Sequence, residues 1–231
     1  MPIIKTEAFV LKSLKYGETS KIVTLFTKDY GKISAIVKGA RNFKSRNCGV
    51  LETMNYINSV IYFKDNRDLH LVSSAEYIKS FPNILNNYEK LQASYRIIEM
   101  INKSLFVNEI NKQIFDLLLR TYDRLNISVF DFSINILFFQ TELLKIMGHS
   151  PDFSKSNETL LKFNELSLNR NQIVLLKLIM GNEFENVSDL KVDLSEINKL
   201  IEHYEKCLLS HTHESNFYSS KKIILELNQF I

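Results

Sequence analysis

Hydrophobic and polar positions change their period near residue 88. Before it they alternate. In residues 32–38, Ile33, Ala35 and Val37 share one face while Ser34, Ile36 and Lys38 share the other. A two-residue period over a short run marks a half-buried strand. Runs at 6–11, 21–27, 32–37, 56–63 and 69–75 are rich in Val, Ile, Thr, Phe and Tyr, the residues that suit a pleated surface. Turn signals separate them: Tyr16-Gly17-Glu18, Asp29-Tyr30-Gly31, Gly39, Gly49 and Lys64-Asp65-Asn66-Arg67-Asp68. Five short strands must hide their edges, and a small closed barrel does so economically. An OB-type β-barrel is the expected architecture.

After residue 88 the spacing is helical. Tyr88, Leu91, Tyr95, Ile98, Ile101 and Leu105 form one face, and Ile110, Ile114, Leu117, Thr121 and Leu125 another. A third helix is predicted from Ser128, with Asp131 completing a capping pair, to Gly148. Its residues Val129, Phe130, Phe132, Ile134, Ile136, Leu137, Phe138 and Phe139 leave little polar face, as at the centre of a bundle. Further helices are predicted at 171–180, 195–209 (Asp193 and Glu196 giving the cap signal) and 219–230, with a loop or irregular segment at 150–164. Pro82 disfavours helical geometry at Phe81 and marks the junction. The chain is therefore expected to be α+β, with an N-terminal OB-type barrel in residues 1–80 and an all-α helical domain in residues 81–231.

Charge sharpens the division. The net charge is +3, but residues 1–80 hold thirteen Lys/Arg against seven Asp/Glu, and residues 81–231 sixteen against nineteen. Between Asp29 and Glu52 there is no acidic residue, while Lys32, Lys38, Arg41, Lys44 and Arg46 are basic. Cations clustered without local counter-charges suit a polyphosphate partner. Arg41 and Arg46 offer bidentate phosphate contacts, and Lys32, Lys38 and Lys44 act as point charges. Tyr30 and Phe43 lie among them, either as π-faces for unstacked bases or as rings packed in the barrel.

Other chemistries find less support. Cys48 and Cys207, the two cysteines, fall in different halves, which fits a reducing compartment better than a disulfide framework. The N-terminus has no signal-peptide core, and no uncharged apolar run reaches the roughly 20 residues of a membrane span. A cytoplasmic location with no membrane contact is expected. There is no phosphate-binding Gly-x-x-x-x-Gly-Lys-Ser/Thr loop. His149 and Asp152 lack a positioned nucleophile and read as a polar turn after Gly148. His203 and Cys207, four residues apart on a helix, lack the second pair that a metal site needs, and His211 and His213 are no better placed. No enzymatic activity, metal or cofactor is expected.

The order of several motifs resembles the RecO family of bacterial recombination mediators. They are Thr6-Glu7-Ala8-Phe9-Val10-Leu11, Tyr16-Gly17-Glu18, Leu25-Phe26-Thr27, Gly31-Lys32-Ile33-Ser34, Lys38-Gly39-Ala40-Arg41, Lys44-Ser45-Arg46, Ser74-Ala75-Glu76 and Phe81-Pro82. Later come Phe115-Asp116-Leu117-Leu118-Leu119-Arg120, Glu142-Leu143-Leu144, Gly148-His149-Ser150-Pro151-Asp152 and Ser220-Lys221-Lys222. The resemblance implies an OB barrel followed by a helical domain, binding of single- and double-stranded DNA, and annealing of complementary strands. It also implies partnership with RecR and with the acidic C-terminal tail of single-stranded DNA-binding protein. Many members carry a four-cysteine zinc site after the Pro-Asp segment. Here Phe153-Ser154-Lys155-Ser156-Asn157-Glu158 contains no cysteine, and structural zinc of that style requires paired thiolates.

The expected function is a non-enzymatic DNA-binding mediator of recombination and repair. Its barrel would hold DNA through the five basic residues, and its helical domain would bind proteins. Basic candidates there are Arg120, Arg124, Lys145 and Lys177. The alternative is an adaptor whose basic barrel binds an acidic protein instead of DNA.

Overall fold

The computed structural model describes residues 2–63, 67–128, 132–150, 161–163, 166–187, 190 and 192–210. Val129, Phe130 and Asp131, the segment 153–158, His211 and His213, Ser220-Lys221-Lys222 and the helix expected at 219–230 lie outside the described residues. Two compact units are formed. One holds the residues up to Asn87 together with Ile98–Asp116; the other holds Tyr88–Ile97 and the described residues from Leu117 onward.

The alternating runs form β1 (Ile3–Tyr16), β2 (Ser20–Thr27), β3 (Gly31–Val37), β4 (Tyr56–Tyr62) and β5 (Leu69–Lys79). They close into a barrel in the order β1-β2-β3-β5-β4, the OB arrangement. Inward positions follow the two-residue period: Ala8 and Val10, Val23 and Leu25, Ile33, Ala35 and Val37, Ile57 and Ile61 meet in one core. β1 and β5 run further than their apolar patterns, because their outer ends leave the barrel and carry exposed residues such as Lys15, Tyr16 and Ile78.

β3 and β5 pair in parallel over only Ser34–Leu69, Ala35–His70 and Ile36–Leu71. Nearer its start, β3 is met instead by residues 107–108. Lys32 and Val107 form a parallel bridge, and the Asn108 N–H donates to the Lys32 carbonyl at 2.8 Å. The same unit places Phe115 against the barrel's outer face. Its ring lies 5.7 Å from Phe9, 5.4 Å from Phe26 and 6.2 Å from Tyr56. Phe9, Phe26 and Phe115 are fully buried, so the cluster is a second apolar core outside the barrel.

The helices are α1 (Pro82–Leu85), α2 (Tyr88–Ser104), α3 (Lys112–Ile127), α4 (Phe132–Ile146), α5 (Arg170–Met180) and α6 (Leu194–Ser210). Pro82 stands in the first turn of α1, and Phe81 before it is non-helical at φ −122° and ψ 70°. In the second unit α4 is buried from Ser133 through Thr141, as its nearly unbroken apolar sequence requires. Asn169 caps α5 by accepting from the Gln172 N–H while the Gln172 side chain accepts from the Asn169 N–H. One expectation needs correcting. Within the stretch read as irregular, Leu161–Phe163 forms β6 and pairs antiparallel with β7 (Leu166–Leu168). Strands of three residues are too short for alternation to register. Among the described residues no helix is long and apolar enough to cross a membrane.

Candidate nucleic-acid interface

Residues 38–55 connect β3 to β4 through successive turns. Apolar and amide anchors determine which of them face water. Ala40, Val50 and Leu51 sink into the barrel core. Asn47 is buried and its Oδ1 accepts the Ala75 N–H of β5 at 3.1 Å. Between Ala40 and Asn47 the chain arches outward, its bends closed by Ser45 N–H to Asn42 carbonyl at 2.8 Å and Lys44 N–H to Asn42 Oδ1 at 3.1 Å. Arg41, Asn42, Phe43, Lys44 and Arg46 are consequently exposed, as is Lys38 at the foot of the arch.

The arch is fastened to the β1–β2 turn. The Arg41 N–H donates to the Thr19 carbonyl at 2.9 Å, and Arg41 Nη1 donates to the Gly17 carbonyl at 2.9 Å. This junction brings in residues that the apolar pattern alone passed over. Because β1 continues to Tyr16, its outer end adds exposed Lys12, Lys15 and Tyr16 to the same end of the barrel. The signal available was symmetry. β2 starts at Ser20, just past the recognised turn Tyr16-Gly17-Glu18, so a hairpin partner ending just before the turn was to be expected.

Counter-charge is sparse here. Glu52 is held by Lys21, and Glu18 is the one acidic residue between Lys12 and Lys21. Lys38, Arg41, Lys44 and Arg46 are thus brought together, and the geometry can neutralise several phosphates along a strand.

Lys32 stands apart. It lies near the start of β3, five residues before Val37, which is roughly 17 Å along a strand. Its Nζ donates to the Asn102 carbonyl at 2.6 Å, so it holds the helical segment of its own unit. Tyr30 is half-buried, packed against the barrel core with its ring 5.6 Å from Phe63. Phe43 is the opposite case, 95% exposed at the crest of the arch.

In the second unit Arg120, Lys145 and Lys177 are exposed. Lys145 is 3.6 Å from Glu142 one turn away. Arg124 is committed internally: its guanidinium lies over the rings of Phe184 and Phe138, and its Nε donates to Asn135 Oδ1 at 3.1 Å. Desolvation lowers its pKa from the ordinary 12.5 to about 10, which leaves it cationic at neutral pH. Among the described residues no cluster of His, Cys, Asp and Glu is arranged to hold a metal ion. His203 Nε2 and Cys207 Sγ stand 3.6 Å apart on α6.

Comparison with known proteins agrees with this architecture. Residues 1–81 match the family described as Recombination protein O N terminal, and residues 85–220 match Recombination protein O C terminal. A DNA repair protein RecO of Chlorobium phaeobacteroides is 37% identical over 153 residues, 66% of this chain and 59% of that protein. That of Chloroherpeton thalassium is 32% identical over 174 residues, covering 75% of this chain and 67% of that protein. That of Salinibacter ruber is 35% identical over 149 residues, 64% of this chain and 57% of that protein. Of two of these three relatives, then, the match spans less than two thirds of their own length. With both halves matched in order and the barrel-then-helices fold in place, the chain belongs to the RecO family.

Proposed function

We propose that this chain is a non-enzymatic mediator of DNA recombination and repair that binds single- and double-stranded DNA and promotes strand annealing. The observation that carries the proposal is the pinned arch: Lys38, Arg41, Lys44 and Arg46 exposed on one turn-rich segment, fixed to the β1–β2 turn through Arg41. A preformed row of cations keeps its charges apart before binding, so little ordering is required when a phosphate backbone docks. Annealing needs no nucleotide hydrolysis, because duplex formation is itself favourable and bound cations reduce repulsion between the approaching strands.

The relatives' name, DNA repair protein RecO, supports the repair assignment. We extend it to a division of labour in which the barrel (residues 1–80) binds DNA and the helical domain (residues 81–231) serves as the protein platform. Its partners there are RecR, with which it assists recombinase loading, and the acidic tail of single-stranded DNA-binding protein, all in the cytoplasm.

The test is fluorescence anisotropy of a labelled single-stranded oligonucleotide at several salt concentrations, with wild type and the R41A/K44A/R46A variant. Binding that weakens steeply with salt in the wild type, with a slope shallower by about 2 in the variant, is expected from three lost phosphate contacts at ~0.7 each. Absence of binding at low salt by folded protein overturns the proposal and leaves a basic adaptor for an acidic protein as the better reading.

A further inference from the structure

Two large aromatic rings are left in water beside the Arg41 junction. Phe43 is 95% exposed and Tyr16 is 53% exposed. Tyr16 directly precedes Gly17, whose carbonyl accepts from Arg41 Nη1 at 2.9 Å, and Phe43 follows Arg41 by two residues. With consecutive Cα atoms about 3.8 Å apart, Tyr16 is rooted one residue from Gly17 and Phe43 within about 8 Å of the Arg41 Cα. Neither ring fills the core at this end of the barrel, a task done by Ala40, Val50 and Leu51. A second main-chain bond, Arg41 N–H to the Thr19 carbonyl, fixes the spacing between the hairpin end and the arch.

We propose that Tyr16 and Phe43 form a stacking site for unpaired bases, which makes this surface selective for single-stranded nucleic acid. The inference rests on the DNA-binding reading above and deepens it. The occupant follows from charge and shape together. Exposed Lys12 and Lys15 share β1 with Tyr16, exposed Lys38, Lys44 and Arg46 share the arch with Phe43, and together they complement a phosphate backbone, with Glu18 the acid of the hairpin turn. A duplex offers those cations its phosphates but keeps its bases stacked inside. An acidic peptide offers charge without a run of π-faces. A single strand offers both, and base–aromatic stacking is tolerant of sequence.

The chain contains no tryptophan, so Phe43→Trp and Tyr16→Trp each introduce a lone tryptophan reporter that can be excited apart from the tyrosines. Titration with oligo-dT is expected to quench either reporter. An abasic sugar–phosphate strand of equal length is expected to bind through charge without quenching. In parallel, Tyr16→Ala and Phe43→Ala should each weaken oligo-dT binding about tenfold, leave abasic-strand and duplex affinities within about twofold, and leave the unfolding temperature unchanged. Tyr16→Phe should retain wild-type affinity. Binding of both strands without quenching, or equal losses on oligo-dT and abasic strand, overturns this inference while the parent reading stands. Failure of wild type to bind either strand overturns the parent reading and this one with it.

Discussion

Glu109 passes its backbone so close to Gly31 that a Cβ on the glycine would stand 2.2 Å from the Glu109 carbonyl oxygen. Gly31 also has φ +69°, a left-handed conformation that side chains disfavour. Two penalties therefore meet at one residue, at the place where the segment after α2 closes against β3. Gly39 has nearly the same φ, +68°, but nothing within 4 Å of a built Cβ. The pair separates backbone strain from steric exclusion. Gly39→Ala should cost about 1 kcal/mol, the strain alone. Gly31→Ala should cost on the order of 2–4 kcal/mol, as strain and overpacking add. Urea denaturation of the two variants measures the difference, and equal losses would mean that the close approach to Glu109 relaxes freely.

Phe115 completes the apolar cluster outside the barrel. Phe9 and Tyr56 stack with centroids 4.8 Å apart, and Phe115 meets both along with Phe26. Removing this fully buried phenyl ring leaves a cavity against Phe9, Phe26 and Tyr56. Phe115→Ala should destabilise the barrel-containing unit by about 3–5 kcal/mol. Near-UV circular dichroism during thermal unfolding reports it, since Tyr56 sits in the same cluster.

The barrel was legible because its signal is local. Ile33, Ala35 and Val37 alternate over five consecutive positions of one strand, and turn residues mark each end. The helix starting at Tyr88 was equally legible from its period. The membership of Ile98–Asp116 in the barrel's unit was not, because it depends on contacts between residues far apart in sequence, such as Phe9 with Phe115 and Lys32 with Asn102. The candidate site divides in the same way. The acid-free stretch that contains Lys38, Arg41, Lys44 and Arg46 can be read from composition. That Lys32 leaves this group, while Lys12, Lys15 and Tyr16 join its end of the barrel, depends on strand register and direction, which composition does not carry.

Lys32 and Lys44 differ in a way that one pair of variants exposes. Lys32 Nζ donates to the Asn102 carbonyl at 2.6 Å, whereas Lys44 is exposed on the arch. Lys32→Ala should lower stability by roughly 1.5–3 kcal/mol, the range for a hydrogen bond involving a charged group, and leave the salt dependence of DNA binding unchanged. Lys44→Ala should leave stability within ~0.5 kcal/mol and reduce the salt slope by about 0.7. Chemical denaturation and anisotropy on the same preparations decide it. A flattened slope in the Lys32 variant would instead count Lys32 among the phosphate contacts.

Glu7 links the barrel to acid stability. Its Oε2 accepts from the Tyr56 hydroxyl at 2.6 Å and lies 3.1 Å from Lys28 Nζ. The Tyr56 hydrogen bond is the largest cause holding its carboxyl below the ordinary 4.5; burial opposes it, and Lys28 assists. A carboxylate whose folded pKa is depressed contributes stability that is complete above 4.5 and is lost as pH falls through the folded value. Because 38% of the Glu7 side chain faces water, screening keeps this contribution under about 1 kcal/mol. Glu7→Gln should therefore unfold earlier than wild type at pH 7, with the gap closing as both are taken below the folded pKa. Tyr56→Phe keeps the ring that stacks on Phe9 but removes the donor, so the Glu7 carboxyl should titrate nearer its ordinary value by carbon-detected NMR. A wild-type-to-Gln gap that stays constant between neutral and acid pH would mean that Glu7 acts through packing and not through its charge.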